Sequence, residues 1–195
     1  MQTIKKIILV FTCIILINCD NDNDPTNNVC ENTYVSDLIT TAYSIINGYD
    51  DLPEWMDLET HEYDIKINAD GEICTIGYQN PSTYTGGYTM EVINVTTSNS
   101  YSGVHTFSQS ALDYQSITAI VVSSGDIIKV KRTILPGWTN LSETIGHVLR
   151  KTGGGNIPYP ITEGNVEFLS SNFYGAGGPI PNFLQPYIAL GFKVN

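Results

Sequence analysis

Glycoside hydrolysis needs two carboxyl groups about 5–9 Å apart, one to deliver a proton and one to act as base or nucleophile. The densest supply in this 195-residue chain is Asp50, Asp51, Glu54, Asp57, Glu59 and Glu62, within "GYDDLPEWMDLETHE". Because the chain holds 20 acidic residues, such clustering arises by chance, and a solvated acidic loop is the stronger reading. Oxygen ligation of a metal by the same loop would be a signal of low specificity. The three histidines, His61, His105 and His147, belong to no H-E-x-x-H motif, and no cysteine stands at zinc-ligand spacing. There is no G-x-S-x-G elbow, and Gly153-Gly154-Gly155 lacks the Lys-Ser/Thr of a phosphate loop. No catalytic residue, metal site or cofactor is therefore expected.

Aromatic side chains are the more informative set: twelve Tyr, six Phe and two Trp. Trp55 lies in the acidic segment and Trp138 in "LPGWTN", both rich in turn residues, while Tyr84, Tyr88 and Tyr101 sit in or near loops. A sugar ring presents an apolar C–H face, so an exposed Trp or Tyr beside Asp or Asn forms a carbohydrate platform. The competing reading packs these rings half-buried, with their polar ends wet.

The basic residues Lys129, Lys131 and Arg132 are a local exception to the acidity. Strand alternation puts both lysines on the face opposite Ile128 and Val130, where they solvate an outer surface or guard a sheet edge. The formal charge is −11. Such a balance argues against nucleic acid and anionic lipid, which require clustered Lys and Arg.

The chain opens with Lys5-Lys6 and the apolar run Ile7 to Ile17. A short basic segment before an apolar run of this length has the pattern of a secretory signal peptide. The run is about half the ~20 residues a membrane-spanning helix needs. Its end, "LINC" (Leu16 to Cys19), resembles the lipobox of bacterial lipoproteins, with Asn18 where that motif carries Gly, Ala or Ser. The resemblance implies cleavage after residue 18 and acylation of Cys19, giving a lipid anchor in the membrane. Asp20, Asp22 and Asp24 then repel one another ahead of Pro25, so residues 19–31 read as an acidic tether. The tether also resembles the acidic signals that carry some Gram-negative lipoproteins to the cell surface. Loss of Lys5 and Lys6 would move the formal charge from −11 to −13.

Cys13 would leave with the signal and Cys19 would carry lipid, so Cys30 and Cys74 remain as an even pair in an oxidising compartment. Either they form a disulfide across about 44 residues, worth roughly 4 kcal/mol by chain entropy, or they stay as two buried thiols.

The elements that must position these groups read as one domain over residues 32–195. Val35, Leu38, Ile39, Ala42, Tyr43, Ile45 and Ile46 recur at helical spacing, with Thr33 as cap and Gly48 as stop. From His61 the period changes to two. Asp70-Gly71 predicts a type I′ hairpin that sets Ile67 opposite Cys74, Ile65 opposite Ile76 and Tyr63 opposite Tyr78, with Cys74 inward. Strands are predicted over 88–95, 101–108, 114–123 and 126–135, with Ser124-Gly125 as a turn, and over "VEFLSSNFYG" and "PYIALGFKV" at the end. "NLSETIGHVLRK" carries helical apolar spacing but β-branched residues, so helix and strand both stay open there.

The fold class expected is mainly β, an antiparallel β-sandwich of jelly-roll type with one N-terminal amphipathic helix. The closing strands resemble sandwich domains appended to bacterial surface proteins and glycan-degrading systems. The functional expectation is an outer-membrane or surface lipoprotein that binds an extracellular ligand, with a glycan foremost, through Trp55, Trp138, Tyr84, Tyr88 and Tyr101. An accessory lipoprotein docking on an envelope protein complex is the alternative, and an enzyme using acidic-segment carboxylates stands third.

Overall fold

The computed structural model of the chain describes residues 29–55, 59–136, 146–175 and 178–195. Cys19 and Trp138 lie outside the described residues, as do Asp57 and the first half of "NLSETIGHVLRK".

One α-helix, α1 (Tyr34–Ala42), opens the fold and turns Val35, Ile39 and Ala42 into the core, a helical i, i+4, i+7 stripe. It is shorter than the spacing predicts. A separate 3-10 turn, Ile45–Asn47, follows, and Gly48 closes that turn with φ 85° rather than ending α1. Thr33 makes no side-chain cap; Ser36 Oγ instead donates back to the Thr33 carbonyl at 2.9 Å.

Among the described residues the other regular structure is antiparallel β, in three sheets. The strands are β1 (Tyr49–Trp55), β2 (Thr60–Ile67), β3 (Gly71–Tyr78), β4 (Tyr88–Asn94), β5 (Ser100–His105), β6 (Asp113–Val122) and β7 (Asp126–Ile134). They continue with β8 (Gly146–Lys151), β9 (Ile161–Glu163), β10 (Val166–Tyr174), β11 (Ile180–Pro181), β12 (Leu184–Pro186) and β13 (Ala189–Val194). The large sheet runs β11-β10-β2-β7-β4-β5, with β9 also on β10; the second is β13-β3-β6, and the third β1-β8-β12. A single hydrophobic cluster draws Ile65, Val92, Val130 and Phe168 from the large sheet and Ile73, Ile76, Ile120 and Leu190 from the second, together with Val35 and Ile39 of α1.

The β2–β3 hairpin does not form. β2 pairs with β7 and β10, and β3 pairs with β6 and β13, so residues 68–70 turn a corner between two sheets. The predicted register of Ile67 with Cys74, Ile65 with Ile76 and Tyr63 with Tyr78 is absent. Period-two burial fixes which face a residue takes, not which strand lies beside it. The Ser124-Gly125 turn is likewise a corner between β6 and β7. The two corners bond to each other: Gly125 N–H donates to the Ile67 carbonyl at 2.7 Å, and Ser124 N–H to Asp70 Oδ1 at 2.8 Å. Gly125 has φ 95°, a conformation other residues adopt only at a cost.

Cys74 points outward rather than inward. A register shift between Ile73 and Thr75 changes the alternation, so that Ile73 and Ile76 both have no exposed surface. On the outer side Cys74 is disulfide-bonded to Cys30, with Cα atoms 6.2 Å apart.

One further reading changes: "YDDLPEW" is strand β1 rather than a loop; and of the two readings left open for Gly146–Lys151, that segment takes the strand, as β8. Lys129 and Lys131 do face outward, but β7 is flanked by β2 and β4, so they guard no edge. Lys129 Nζ lies 3.0 Å from Glu62 and 3.1 Å from Asp64, and Lys131 Nζ 2.8 Å from Glu91. Arg132 faces the interior and has no exposed surface.

Candidate functional site

Of the chemistry-bearing residues singled out by type, Asp50, Asp51, Glu54, Trp55 and His147 come together on the β1–β8 pair. Asp51 is registered with Leu149, and the antiparallel diagonal brings Asp51 Oδ1 to His147 Nε2 at 2.5 Å. Tyr49, Asp51, Leu149 and His147 therefore share one face of this pair, as alternation along two antiparallel strands requires. The His147 ring stacks on Tyr187 with centroids 4.2 Å apart and planes 5° from parallel. The Tyr187 hydroxyl lies 3.2 Å from the Thr40 hydroxyl of α1.

Two clefts open on this face. One of about 410 Å³ lies between the end of α1 with its 3-10 turn and the strand pair, and is lined by Thr40, Ser44, Ile45, Tyr49, Asp50, Asp51 and Tyr187 among others. The other, about 340 Å³, is lined by Pro53, Glu54, Gln79, Asn80 and His147. Burial raises the Tyr43 and Tyr49 hydroxyls above the usual tyrosine range, so these two rings of the first cleft keep their phenolic protons.

The carboxylates here are held by the protein itself. Asp50 accepts from Thr152 Oγ1 at 2.7 Å and from Arg150 at 3.0 Å, and these two bonds, the threonine first, hold its carboxyl below the usual carboxylate range. Glu54 accepts from the Ser82 backbone N–H and, at 3.1 Å, from its hydroxyl, pinning the loop after β3. Glu62 accepts from Tyr174 and Lys129 on the outer face of the large sheet, and Glu59 is exposed. Among the described residues no hydroxyl or thiol hydrogen-bonds to His147 as a nucleophile would, and no group of three metal-ligating side chains forms. The arrangement can bind through apolar contact and hydrogen bonds.

The aromatic candidates scatter. Trp55 stands on the other face of the β1–β8 pair, with the Arg150 guanidinium 4.3 Å from its ring centroid and the ring packed beside the Val148, Phe173 and Leu184 cluster. Tyr88 has no exposed surface and is a core residue, not a platform. Tyr84 is half-buried, its ring 5.1 Å from Tyr88 and its hydroxyl donating to the Gly87 carbonyl at 2.9 Å. Tyr101 is half-buried on β5 and bonds His105 Nε2 at 2.7 Å, with His105 Nδ1 in turn 2.7 Å from Gln115. None of the three borders either cleft. Tyr187 and His147, which do, carry no local sequence signal: Tyr187 reads as part of a closing strand, and His147 as a lone histidine.

Neither a protein-family model nor a curated protein matches the chain.

Proposed function

We propose that the chain is a lipid-anchored outer-membrane or surface protein whose β-domain, a sandwich of jelly-roll type, binds an extracellular ligand, best taken to be a glycan. The observation that carries the ligand reading is the cleft of about 410 Å³ beside Tyr187. It combines aromatic and aliphatic wall with hydroxyl and carboxylate groups at the rim, the mixture that a sugar's apolar face and its hydroxyls jointly require. Ligand sites of this kind are concave, mostly apolar and carry a few convergent polar groups. The jelly-roll reading is supported by nested pairing: β2 with β7, β3 with β6 and β4 with β5, as in a long hairpin rolled up, with three nested pairs where a full jelly roll has four. The anchor rests on the resemblance at "LINC".

The test is a glycan and polysaccharide array probed with protein purified from solubilised membranes. Tyr187→Ala and Asp51→Asn are each expected to weaken retention at least about tenfold, equivalent to 1.4 kcal/mol, while Trp55→Ala, on the opposite face, leaves it unchanged. An array on which the wild type retains nothing sinks the glycan reading. For the anchor, metabolic labelling with radioactive palmitate is expected to mark the wild type and spare Cys19→Ala. Equal label on both would remove Cys19 from consideration.

The second reading, docking on an envelope protein complex, has its own support in Ile45 and Ile46, which are 82% and 93% exposed side by side on the 3-10 turn. Large apolar side chains exposed as a pair beside a cleft are a common mark of a protein contact. Cross-linking from residue 46 to one envelope protein, with a blank array, would favour it.

A further inference from the structure

Both clefts lie on the same face of the β1–β8 pair, and His147 stands between them: its ring lines the second, and its partner Asp51 lines the first. Their β1 linings are successive, Tyr49 to Asp51 and then Pro53 to Glu54. At about 3.3 Å per strand residue these two sets of β1 lining residues are centred roughly 10–13 Å apart along the strand, more than one pyranose ring covers. Each cleft alone sits near the small end of the ~300–1,000 Å³ usual for a ligand pocket. The linings include Asp50, Asp51 and Glu54 and no Lys or Arg among the described residues.

We infer that the two clefts form one groove for an uncharged, linear oligosaccharide that fills both at once and crosses the Asp51–His147 pair. This rests on the glycan reading above and adds length and charge to it. The extended shape follows from the succession of the two linings along β1. Exclusion of acidic sugars follows from Asp51 in the first cleft and Glu54 in the second: Arg150 answers Asp50, but among the described residues no Lys or Arg lines either cleft, and juxtaposed like charges are strongly disfavoured at an interface.

The measurement is calorimetric titration of the purified protein with one- to six-unit oligosaccharides of linear glucan, xylan, mannan and chitin, with oligogalacturonides as the acidic counterpart. For at least one uncharged series, Kd is expected to fall at least tenfold between the monosaccharide and the four- or five-unit chain. Gln79→Ala, in the second cleft, is expected to abolish most of that gain while leaving binding of the shortest saccharides unchanged. A monosaccharide bound as tightly as the hexamer overturns the two-cleft groove and leaves the glycan function standing. Oligogalacturonides bound as tightly as the best uncharged series overturn the charge selection. Failure of all four uncharged series overturns the inference and the glycan reading together.

Discussion

Replacing Cys30 and Cys74 together by alanine is expected to cost about 4 kcal/mol of unfolding free energy, the chain-entropy value for a closed loop of about 44 residues. The bond spans a sequence separation of 44 and joins the segment ahead of α1 to the middle of β3. Around it, Glu31 and Phe192 exchange two backbone hydrogen bonds of 3.0 Å, and Tyr34 packs on the Phe192 ring at 5.0 Å. Those contacts hold residues 31–34 in place locally, but they do not reduce the freedom of the unfolded chain; only the covalent link does that. For a chain of this size each kcal/mol moves Tm by about 2–4 °C, so the double variant is expected to melt roughly 8–16 °C lower. Scanning calorimetry of the oxidised wild type, the reduced wild type and the double variant checks this. The two thiol-free or reduced forms should agree with each other. A loss below about 1 kcal/mol would mean that α1 and the Glu31–Phe192 bridge restrict the unfolded ensemble already, contrary to the entropic account.

What the sequence could and could not disclose follows from the range of each signal. Period-two alternation is local, so the inward faces of Tyr63, Ile65, Ile67, Ile128 and Val130 were legible, and all five are buried. Partnership is not local. β2 and β3 alternate as hairpin strands would, yet their paired residues lie from 35 (Tyr78 with Asp113) to 123 (Gly71 with Val194) positions away in sequence. β1 was hidden for a different reason. Its seven residues include three acids and a proline, which read as loop, but Asp50 is matched by Arg150 and Asp51 by His147, on a strand about 100 residues later. The same distance separates the groups of the candidate site. Asp50, Asp51 and Glu54 were visible as carboxylates, whereas His147 and Tyr187 acquire meaning only when β8 and the β12–β13 connection come beside β1. Tyr88 failed in the opposite direction: the glycines ahead of it mark a loop, but it is the first residue of β4 and faces the core.

Arg132, to which the sequence reading assigned no face, gives the second large effect. It lies in β7 in phase with Ile128 and Val130, registered with His61 of β2 and Met90 of β4, and has no exposed surface. Its guanidinium sits 4.6 Å from the Tyr88 ring centroid and 5.5 Å from that of Tyr78. Burial first, then Tyr78, push the Tyr88 hydroxyl above its ordinary value, and Arg132 draws it part of the way back. Arg132→Ala is expected to cost about 3–5 kcal/mol, the range for large core truncations, because it opens a void between two rings in a central strand. Arg132→Met keeps most of the volume and removes a buried charge whose desolvation offsets part of its attraction. It forfeits the guanidinium's contacts, the two rings among them at about 0.5–2 kcal/mol each, but leaves no large void, so it should cost clearly less than alanine. Urea unfolding of the three proteins separates the contributions. Equal losses from alanine and methionine would assign the whole effect to the guanidinium's charge and hydrogen bonds, and a loss below about 1 kcal/mol from alanine would show that Tyr78 and Tyr88 collapse into the space. The expected order, wild type above methionine above alanine, would establish that this inward arginine acts mainly as a packed side chain, with its charge held between aromatic faces.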